Sequence, residues 1–202
     1  MLTSKRKQNC LHVKKVANTI KFNLNNFRHI RPYLTTDAAK LFMHAMIFSH
    51  ISYCFTTWSL ANITTMKPIE SLYKQTLKTL DQKPNRYHHC HIVQKYNLFN
   101  FGSFRNFMDC CLVFKVLNGL APPPLKQFIK RCESGDRTTR ATTRGDCEVP
   151  SRQSVFGNTV LSVRASNLWN SLPTEVRQSS NYLTFKFNLK RWLKSGQICN
   201  HE

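Results

Sequence analysis

Acidic side chains are scarce in this chain of 202 residues, which has 10 Asp and Glu against 30 Lys and Arg and a formal net charge of +20. A charge this large repels itself unless an anionic partner shares the surface. The excess is spread along the chain: residues 1–67 hold 10 basic and 1 acidic residue, residues 68–130 hold 9 and 3, and residues 131–202 hold 11 and 6. The composition therefore predicts a basic folded surface and a polyanion as its partner.

The few carboxylates are also dispersed, and no D-D, D-x-D or E-x-x-H grouping occurs. A two-metal phosphoryl-transfer site needs clustered carboxylates to hold its ions. With only 6 Gly, the sequence has no G-x-x-x-x-G-K-[ST], G-x-G-x-x-G or G-x-S-x-G motif. These absences predict a protein that is not an enzyme, needs no cofactor and has no small-molecule substrate.

Long apolar runs are missing as well. The longest, around residues 41–48 and 110–114, are far below the roughly 20 residues that cross a bilayer. The basic N-terminus is not followed by the apolar segment of a signal peptide. We therefore expect an intracellular protein, nuclear or cytoplasmic, with no membrane partner and with its 8 cysteines as thiols. On the same ground the adhesion tripeptide Arg144-Gly145-Asp146 is interpreted as a chance occurrence.

Apolar material is nevertheless plentiful: 41% of the residues are hydrophobic and 14 are Phe, which is enough for a packed core. Apolar residues recur with the helical period along most of the chain. Thr36 and Asp37 are predicted to cap the second helix, Pro68 to open the third, Ser103 to cap the fourth and Gly119 to end it. The predicted helices, in a mainly α-helical bundle, cover residues 10–31, 36–55, 68–80, 104–117, 125–130, 165–172 and 182–194, with a short element at 92–96.

One segment departs from this pattern. Residues 131–153 are rich in Ser, Thr, Gly, Asp and Arg, which predicts a loop-rich, Arg-containing insertion. Residues 155–163, with Gly157-Asn158 inside, are predicted to form one short β-hairpin or an extended segment. The expected organisation is a helical domain over 1–130, a flexible linker over 131–153, and a C-terminal hairpin with helices over 154–202.

Basic residues gather in three places that could bind RNA or DNA, because cations neutralise phosphates and aromatic faces stack on unpaired bases. For any one of these groups a solvated helix face is the simpler interpretation, and it is the three together that favour nucleic-acid binding. The candidate residues are Lys14 and Lys15; Arg137, Arg140 and Arg144; and Lys186, Phe187, Lys190, Arg191 and Lys194.

A histidine-rich stretch is the one metal candidate. His88 and His91 are three residues apart and Cys90 is a soft ligand, so the three could meet one ion on a helix. A structural zinc site usually shows two spaced ligand pairs, and no C-x-x-C occurs in this sequence. We therefore expect no metal site and keep His88, Cys90 and His91 as weak candidates.

Several segments resemble, in the same order, the C-terminal region of the reverse transcriptases of LINE-type non-LTR retrotransposons, with the fish-type elements most similar. The most specific segment, residues 167–177 (NLWNSLPTEVR), is similar to the family pattern lWNsLP.eiR. Residues 45–54 resemble alilShldYc, 72–78 resemble lqkqalr, 114–122 resemble yKilnGlaP, 138–149 resemble tRas.rgdc.vP, and 185–190 resemble Fk..lk.

The resemblance covers about residues 10–195 and implies a region downstream of the polymerase palm, with a thumb-like helical domain that helps to grip template or RNA. The family's metal-binding [FY]-A-D-D motif and the Cys/His zinc knuckle of many members are not in these residues. We therefore expect a non-catalytic remnant that binds RNA or DNA without sequence preference. Two alternatives stay open: a truncated reading frame with no independent biochemical function, and a metal-dependent binding module.

Overall fold

The computed structural model describes residues 2–59, 63–132, 140–151, 157 and 160–196, with the side chains of 2–10 and 63 outside the description. Its elements are almost all helices, which confirms the predicted mainly α-helical fold. The chain divides into two units, residues 1–102 and residues 103–202. The three-part division expected from the sequence stays a prediction.

The first unit is built on two long helices that pack against each other, α1 and α5. Both were predicted from their apolar stripes, and the stripe residues are buried except for Val16, which is partly exposed. The elements of this unit are α1 (Leu2–Ile30), a 3₁₀ turn (Arg31–Tyr33), α2 (Thr36–Phe42), a π-helix (Met43–Phe48), α3 (Ser49–Ser52), α4 (Phe55–Trp58), α5 (Ile63–Leu80) and α6 (His89–Lys95).

The π-helix keeps one apolar stripe facing the core. The buried residues Ala39, Met43, Ile47 and Ile51 lie four apart, whereas an α-helix with 3.6 residues per turn would rotate such a stripe by about 40° at each step. The wider turn of a π-helix rotates it back.

The side chain of Asn23 on α1 supports this irregular segment. Its Nδ2 donates a hydrogen bond to the carbonyl of Met46 at 2.6 Å, and Asn23 itself is buried. The prediction of one regular helix to about residue 55 is therefore wrong. Leu41 and Ala45 are exposed, and a left-handed Cys54 (φ 50°) separates α3 from α4.

One predicted cap and two predicted helix starts are also wrong, although α2 begins at Thr36 as predicted. Thr35, rather than Thr36 or Asp37, caps α2, because its hydroxyl accepts a hydrogen bond from the backbone N–H of Ala38. Pro68 lies inside α5, where the burial of Met66 on the preceding turn favours extending the helix despite the missing N–H. Ser103 likewise lies inside α7, which begins at Phe101.

The second unit packs its helices around aromatic rings. Phe114 stacks on Phe185 with ring centroids 4.3 Å apart, and Trp169 lies 5.7 Å from the same Phe185. Gly119, at φ +71°, ends α7 as predicted. The elements are the main part of α7 (Phe101–Leu117), a 3₁₀ turn (Pro123–Gln127), α8 (Arg140–Arg144), α9 (Leu161–Ser171), α10 (Thr174–Arg177) and α11 (Tyr182–Ser195).

The predicted insertion and hairpin are only partly described. Residues 133–139, 152–156, 158 and 159 lie outside the description. Within the described part, the insertion contains α8 and one antiparallel bridge between Arg131 and Cys147. The hairpin prediction is wrong at residues 161–163, which form the first turn of α9 and bury Ser162 and Val163.

Candidate nucleic-acid interface

Helix α11 has one apolar side and one basic side. Phe185, Leu189 and Leu193, four residues apart, are buried, which turns the remaining positions outward. Asn181 begins the helix by accepting a hydrogen bond from the backbone N–H of Thr184 at 2.8 Å. The outward positions carry the predicted cations. Lys190 and Arg191 are exposed, and Lys186 and Lys194 are partly exposed.

A lysine from another helix extends this basic side. Nζ of Lys115 on α7 lies 4.8 Å from the ring centroid of Tyr182, and Nζ of Lys186 lies 5.4 Å from the same centroid. Lys190 lies over Phe107 at 5.8 Å. These cation–π contacts hold the ammonium groups without neutralising them. No local sequence motif indicates Lys115 as a member of this face, because its partner ring, Tyr182, is 67 residues away along the chain.

These cations influence one another and a neighbouring thiol. Burial raises the pKa of Cys111 to about 11, and the nearby charges of Lys186, Lys115 and Lys190 oppose that shift. Burial lowers the pKa of Lys194, and Lys190 adds to that lowering. None of the ion pairs found among the described residues involves Lys115, Lys186, Lys190 or Arg191. We call the set the α7–α11 basic face: Lys115, Lys186, Lys190, Arg191 and Lys194.

Two large apolar side chains stand exposed on the same helix. Phe187 is 66% exposed and Leu183, one turn earlier, is 76% exposed. Phe187 was predicted as a binding residue, and it lies next to Lys186 and one turn before Arg191. An exposed aromatic ring beside cations offers a surface on which an unpaired base stacks.

The first unit carries a basic surface of its own on α1. Lys14 and Lys15 are exposed, as expected for binding residues, and one to two turns further on Lys21 and Phe22 are exposed too. Lys14 and Lys21, like Lys15 and Phe22, are seven residues apart and so share a helix face. Sequence reasoning did not include Phe22, although this heptad spacing was available as a signal.

The predicted arginine group is divided by the structure. Arg140 is exposed at the start of α8, and Arg137 lies outside the described residues. Arg144 pairs with Asp146 at 3.1 Å between Nη2 and Oδ2, and Nη1 of Arg177 donates to the other oxygen of the same carboxylate. Part of the charge of Arg144 therefore serves an internal ion pair.

The segments with the most specific resemblance lie against each other. Trp169 Nε1 donates to the carbonyl of Gly145 at 3.2 Å. The Asn170 amide makes two hydrogen bonds with the backbone of Cys147, accepting at 2.7 Å and donating at 2.9 Å. Together with the Arg177–Asp146 pair, these contacts join residues 167–177 to residues 144–147. The sequence motif is thus largely a packing motif.

The histidine-rich stretch forms a different cluster from the one predicted. The ligand atoms of His88, His89 and Cys90 lie within 4.8 Å of one another, whereas the spacing had pointed to His91 in place of His89. Cys90 is disulfide-bonded, so its sulfur is not a thiolate ligand. The expectation of thiols throughout is therefore wrong at Cys90, while Cys54, Cys110, Cys111, Cys132 and Cys147 are free.

The electrostatic surroundings also disfavour a cation at this cluster. Burial lowers the pKa of His89 to about 4, and the neighbouring charges of Lys74, His88 and Lys78 act in the same direction. The same charges would repel a divalent metal ion. The observed arrangement fits a polar start of α6 better than a metal site.

Most of the described carboxylates already serve the fold. Asp109 is fully buried and accepts two hydrogen bonds from Arg164, at 2.8 Å from Nε and 3.0 Å from Nη2. Burial raises the pKa of Asp109, and Arg164 opposes that shift. Further ion pairs join Asp37 to Lys40, Glu70 to Lys74, Asp81 to Lys95, and Asp146 to Arg144 and Arg177.

Within the described part of the chain, none of the helices has both the length and the apolar character needed to cross a membrane. Comparisons of the sequence and the structure with protein-family models, with curated proteins and with solved structures find no match for this chain.

Proposed function

We propose that this chain binds RNA or DNA without sequence preference, as a non-catalytic, intracellular region of the kind that follows the palm in LINE-type reverse transcriptases, and that the α7–α11 basic face is its main contact. The observation that carries the proposal is the placement of five cations on one face with Phe187 exposed among them. The resemblance at residues 167–177 supports the assignment to a retrotransposon.

The dimensions of the face suit a phosphate backbone. Lys186 and Lys194 are eight residues apart, which corresponds to about 12 Å along a helix. A nucleic-acid strand with B-form spacing presents three to four phosphates over about that length, at roughly 3.4 Å each. Each phosphate that a lysine or arginine neutralises releases counterions, so the affinity depends steeply on salt.

The absence of sequence preference follows from the side chains on α11. Direct reading of base edges uses amides or forked arginine contacts in fixed positions. Asn188, the amide within α11, donates to Ser179 Oγ at 3.2 Å and so is engaged internally. The other exposed side chains of α11 include cations, the apolar Leu183 and the ring of Phe187, which stacks on any base.

The proposal is tested by titrating a fluorescent single-stranded RNA with the full chain and recording anisotropy. The test variant replaces Lys186, Lys190, Arg191 and Lys194 with Gln. The control variant replaces Lys67, Lys83, Lys126 and Lys130, which are all exposed, and therefore has the same net charge. Loss of affinity confined to the α11 variant supports the proposal.

Circular dichroism of the same samples addresses the alternative of a reading frame without independent function. A cooperative thermal transition together with RNA binding supports the proposal. An absence of salt-sensitive RNA binding by a chain that melts cooperatively would contradict it.

A further inference from the structure

The second unit contains a polar cleft of about 370 Å³. Its described lining includes Arg131, Arg144 and Arg177. The described lining residues include no member of the α7–α11 basic face. We propose that this cleft is a binding site for a phosphomonoester, the dianionic phosphate group carried by a mononucleotide or by the end of a nucleic-acid strand. The proposal does not depend on the α7–α11 basic face.

The charge of the cleft matches that ligand. Among the described residues at the cleft, Arg131, Arg144 and Arg177 supply three positive charges, and Asp146, which pairs with two of them, removes one. A phosphomonoester carries about −1.5 to −2 charges at neutral pH, against −1 for a phosphodiester within a strand. The remaining charge of +2 therefore favours a terminal phosphate over an internal one.

The arginines retain donors for such a ligand. Arg144 pairs with Asp146 through one nitrogen and its side chain is 59% exposed, and Arg131 is exposed as well. The side chain of Arg177 is only 5% exposed and donates to Asp146, so it supplies positive charge to the cleft rather than a free donor.

The cleft is held in shape before any ligand arrives. Gly145, between Arg144 and Asp146, adopts φ +67°, a conformation that side-chain-bearing residues rarely take. Trp169 Nε1 holds the Gly145 carbonyl at 3.2 Å, and Asp146 holds two of the arginines. Preorganised donors lose little entropy on binding, which favours recognition of a small charged group.

The size of the cleft indicates more than a bare ion. A volume of about 370 Å³ lies within the range of roughly 300–1,000 Å³ of small-molecule sites. The ring of Trp169 is 1% exposed and so offers no face for stacking a base. The cleft therefore recognises the phosphate, and accepts the attached sugar without reading the base.

The test uses the full chain carrying the four α11 substitutions to Gln, so that binding at the α7–α11 basic face does not contribute. Isothermal titration calorimetry measures binding of inorganic phosphate, of a nucleoside 5′-monophosphate and of the corresponding nucleoside. We expect the monophosphate to bind saturably and the nucleoside not to bind. Saturable binding of inorganic phosphate without binding of the monophosphate would overturn the proposal, because the cleft would then admit only the ion.

Single substitutions in that background locate the site. Arg131→Gln and Arg144→Gln each remove charge-assisted hydrogen bonds and are expected to weaken monophosphate binding about tenfold or more. Lys126→Gln, at an exposed position of the second unit and outside the described lining, is the control and leaves the affinity unchanged. Binding that is absent in the parent, or equal in Arg131→Gln and the control, overturns the proposal.

Oligonucleotides then distinguish the two sources of the phosphate. One oligonucleotide carries a 5′-phosphate and its twin a 5′-hydroxyl, both titrated into the same background. If the phosphorylated strand binds more tightly than both its 5′-hydroxyl twin and the mononucleotide, the cleft is assigned to a strand end. If the phosphorylated strand binds no more tightly than the mononucleotide, the cleft is assigned to free nucleotides. If the substituted chain shows no phosphate binding in the cleft while the unaltered chain binds RNA through the α7–α11 basic face, the proposed function still stands. The two sites are measured separately.

Discussion

Arg144 and Asp146 form an ion pair, with 3.1 Å between Nη2 of the arginine and Oδ2 of the aspartate, inside the tripeptide Arg144-Gly145-Asp146. The carboxylate also accepts a hydrogen bond from Arg177 and is 9% exposed. An adhesion motif must present its aspartate to a receptor, whereas this aspartate is turned inward. The tripeptide therefore organises the arginine cleft. This role agrees with the interpretation that its match to an adhesion motif is a chance occurrence.

Replacing Asp146 with Asn tests this internal role. Arg177 would be left buried without its charge partner, and breaking such a pair costs about 3–5 kcal/mol of unfolding free energy. Urea denaturation followed by circular dichroism measures the change. Asp37→Asn is the control, because its side chain is 94% exposed in a surface pair with Lys40, and it should cost at most about 0.5–1 kcal/mol. Equal effects of the two substitutions would contradict the role assigned to Asp146.

Replacing Asn23 with Ala tests the support of the π-helix. The carbonyl of Met46 loses the hydrogen bond from the buried amide, which is expected to cost about 1–2 kcal/mol of unfolding free energy. Asn25→Ala, at an exposed position on the same helix, is the matched control and should change stability little. A destabilisation of similar size in both variants would show that helix propensity, rather than the contact with Met46, sets the effect.

Replacing Phe187 with Ala tests base stacking. Removing the ring is expected to weaken single-stranded RNA binding by about 1–3 kcal/mol while the salt dependence of the affinity stays unchanged, because no charge is lost. Leu183→Ala removes an apolar side chain of similar exposure one turn away and should have a much smaller effect. Anisotropy titrations at several salt concentrations measure both quantities, and equal losses in the two variants would argue against stacking.

The burial of His89 predicts a pH dependence of stability. The folded protein holds the pKa of His89 at about 4 against an ordinary value of 6.5, so between these values the unfolded chain binds more protons. Stability is therefore fully present above pH 6.5 and declines as the pH falls towards 4. His89→Gln should flatten this part of the profile measured by urea denaturation, whereas His50→Gln, at an exposed position on α3, should not.

The sequence predicted the main fold because its long helices carry regular apolar stripes. The stripe of α5, Ile69 to Leu80, is buried throughout, and Gly119 ends α7 where a positive φ is needed. The π-helix was not predictable in this way, because its turn is longer than the 3.6-residue turn by which an apolar stripe indicates an α-helix. Pro68 misled for a related reason: packing of Met66 outweighs the local preference of proline for a first turn.

The candidate site was predicted where it depends on one helix and missed where it depends on two. The cations of α11 follow from local periodicity, and so does the exposure of Phe187. Lys115 joins them only through Tyr182, a contact between distant parts of the chain. The pairing of Asp146 with Arg177, across 31 residues, likewise has no local signal in the sequence. The arginine cleft depends on this pairing and was therefore not predicted.

The salt dependence of RNA affinity is the most direct test of the proposed function. On a plot of log affinity against log salt concentration the slope is negative, and each lost phosphate contact to a single strand makes it shallower by about 0.7. The variant with Gln at Lys186, Lys190, Arg191 and Lys194 should therefore give a slope shallower than that of the unaltered chain by about 2–3, while the charge-matched control at Lys67, Lys83, Lys126 and Lys130 keeps the original slope. Equal slopes for both variants would show that net charge alone attracts the RNA and would contradict an interface on α11.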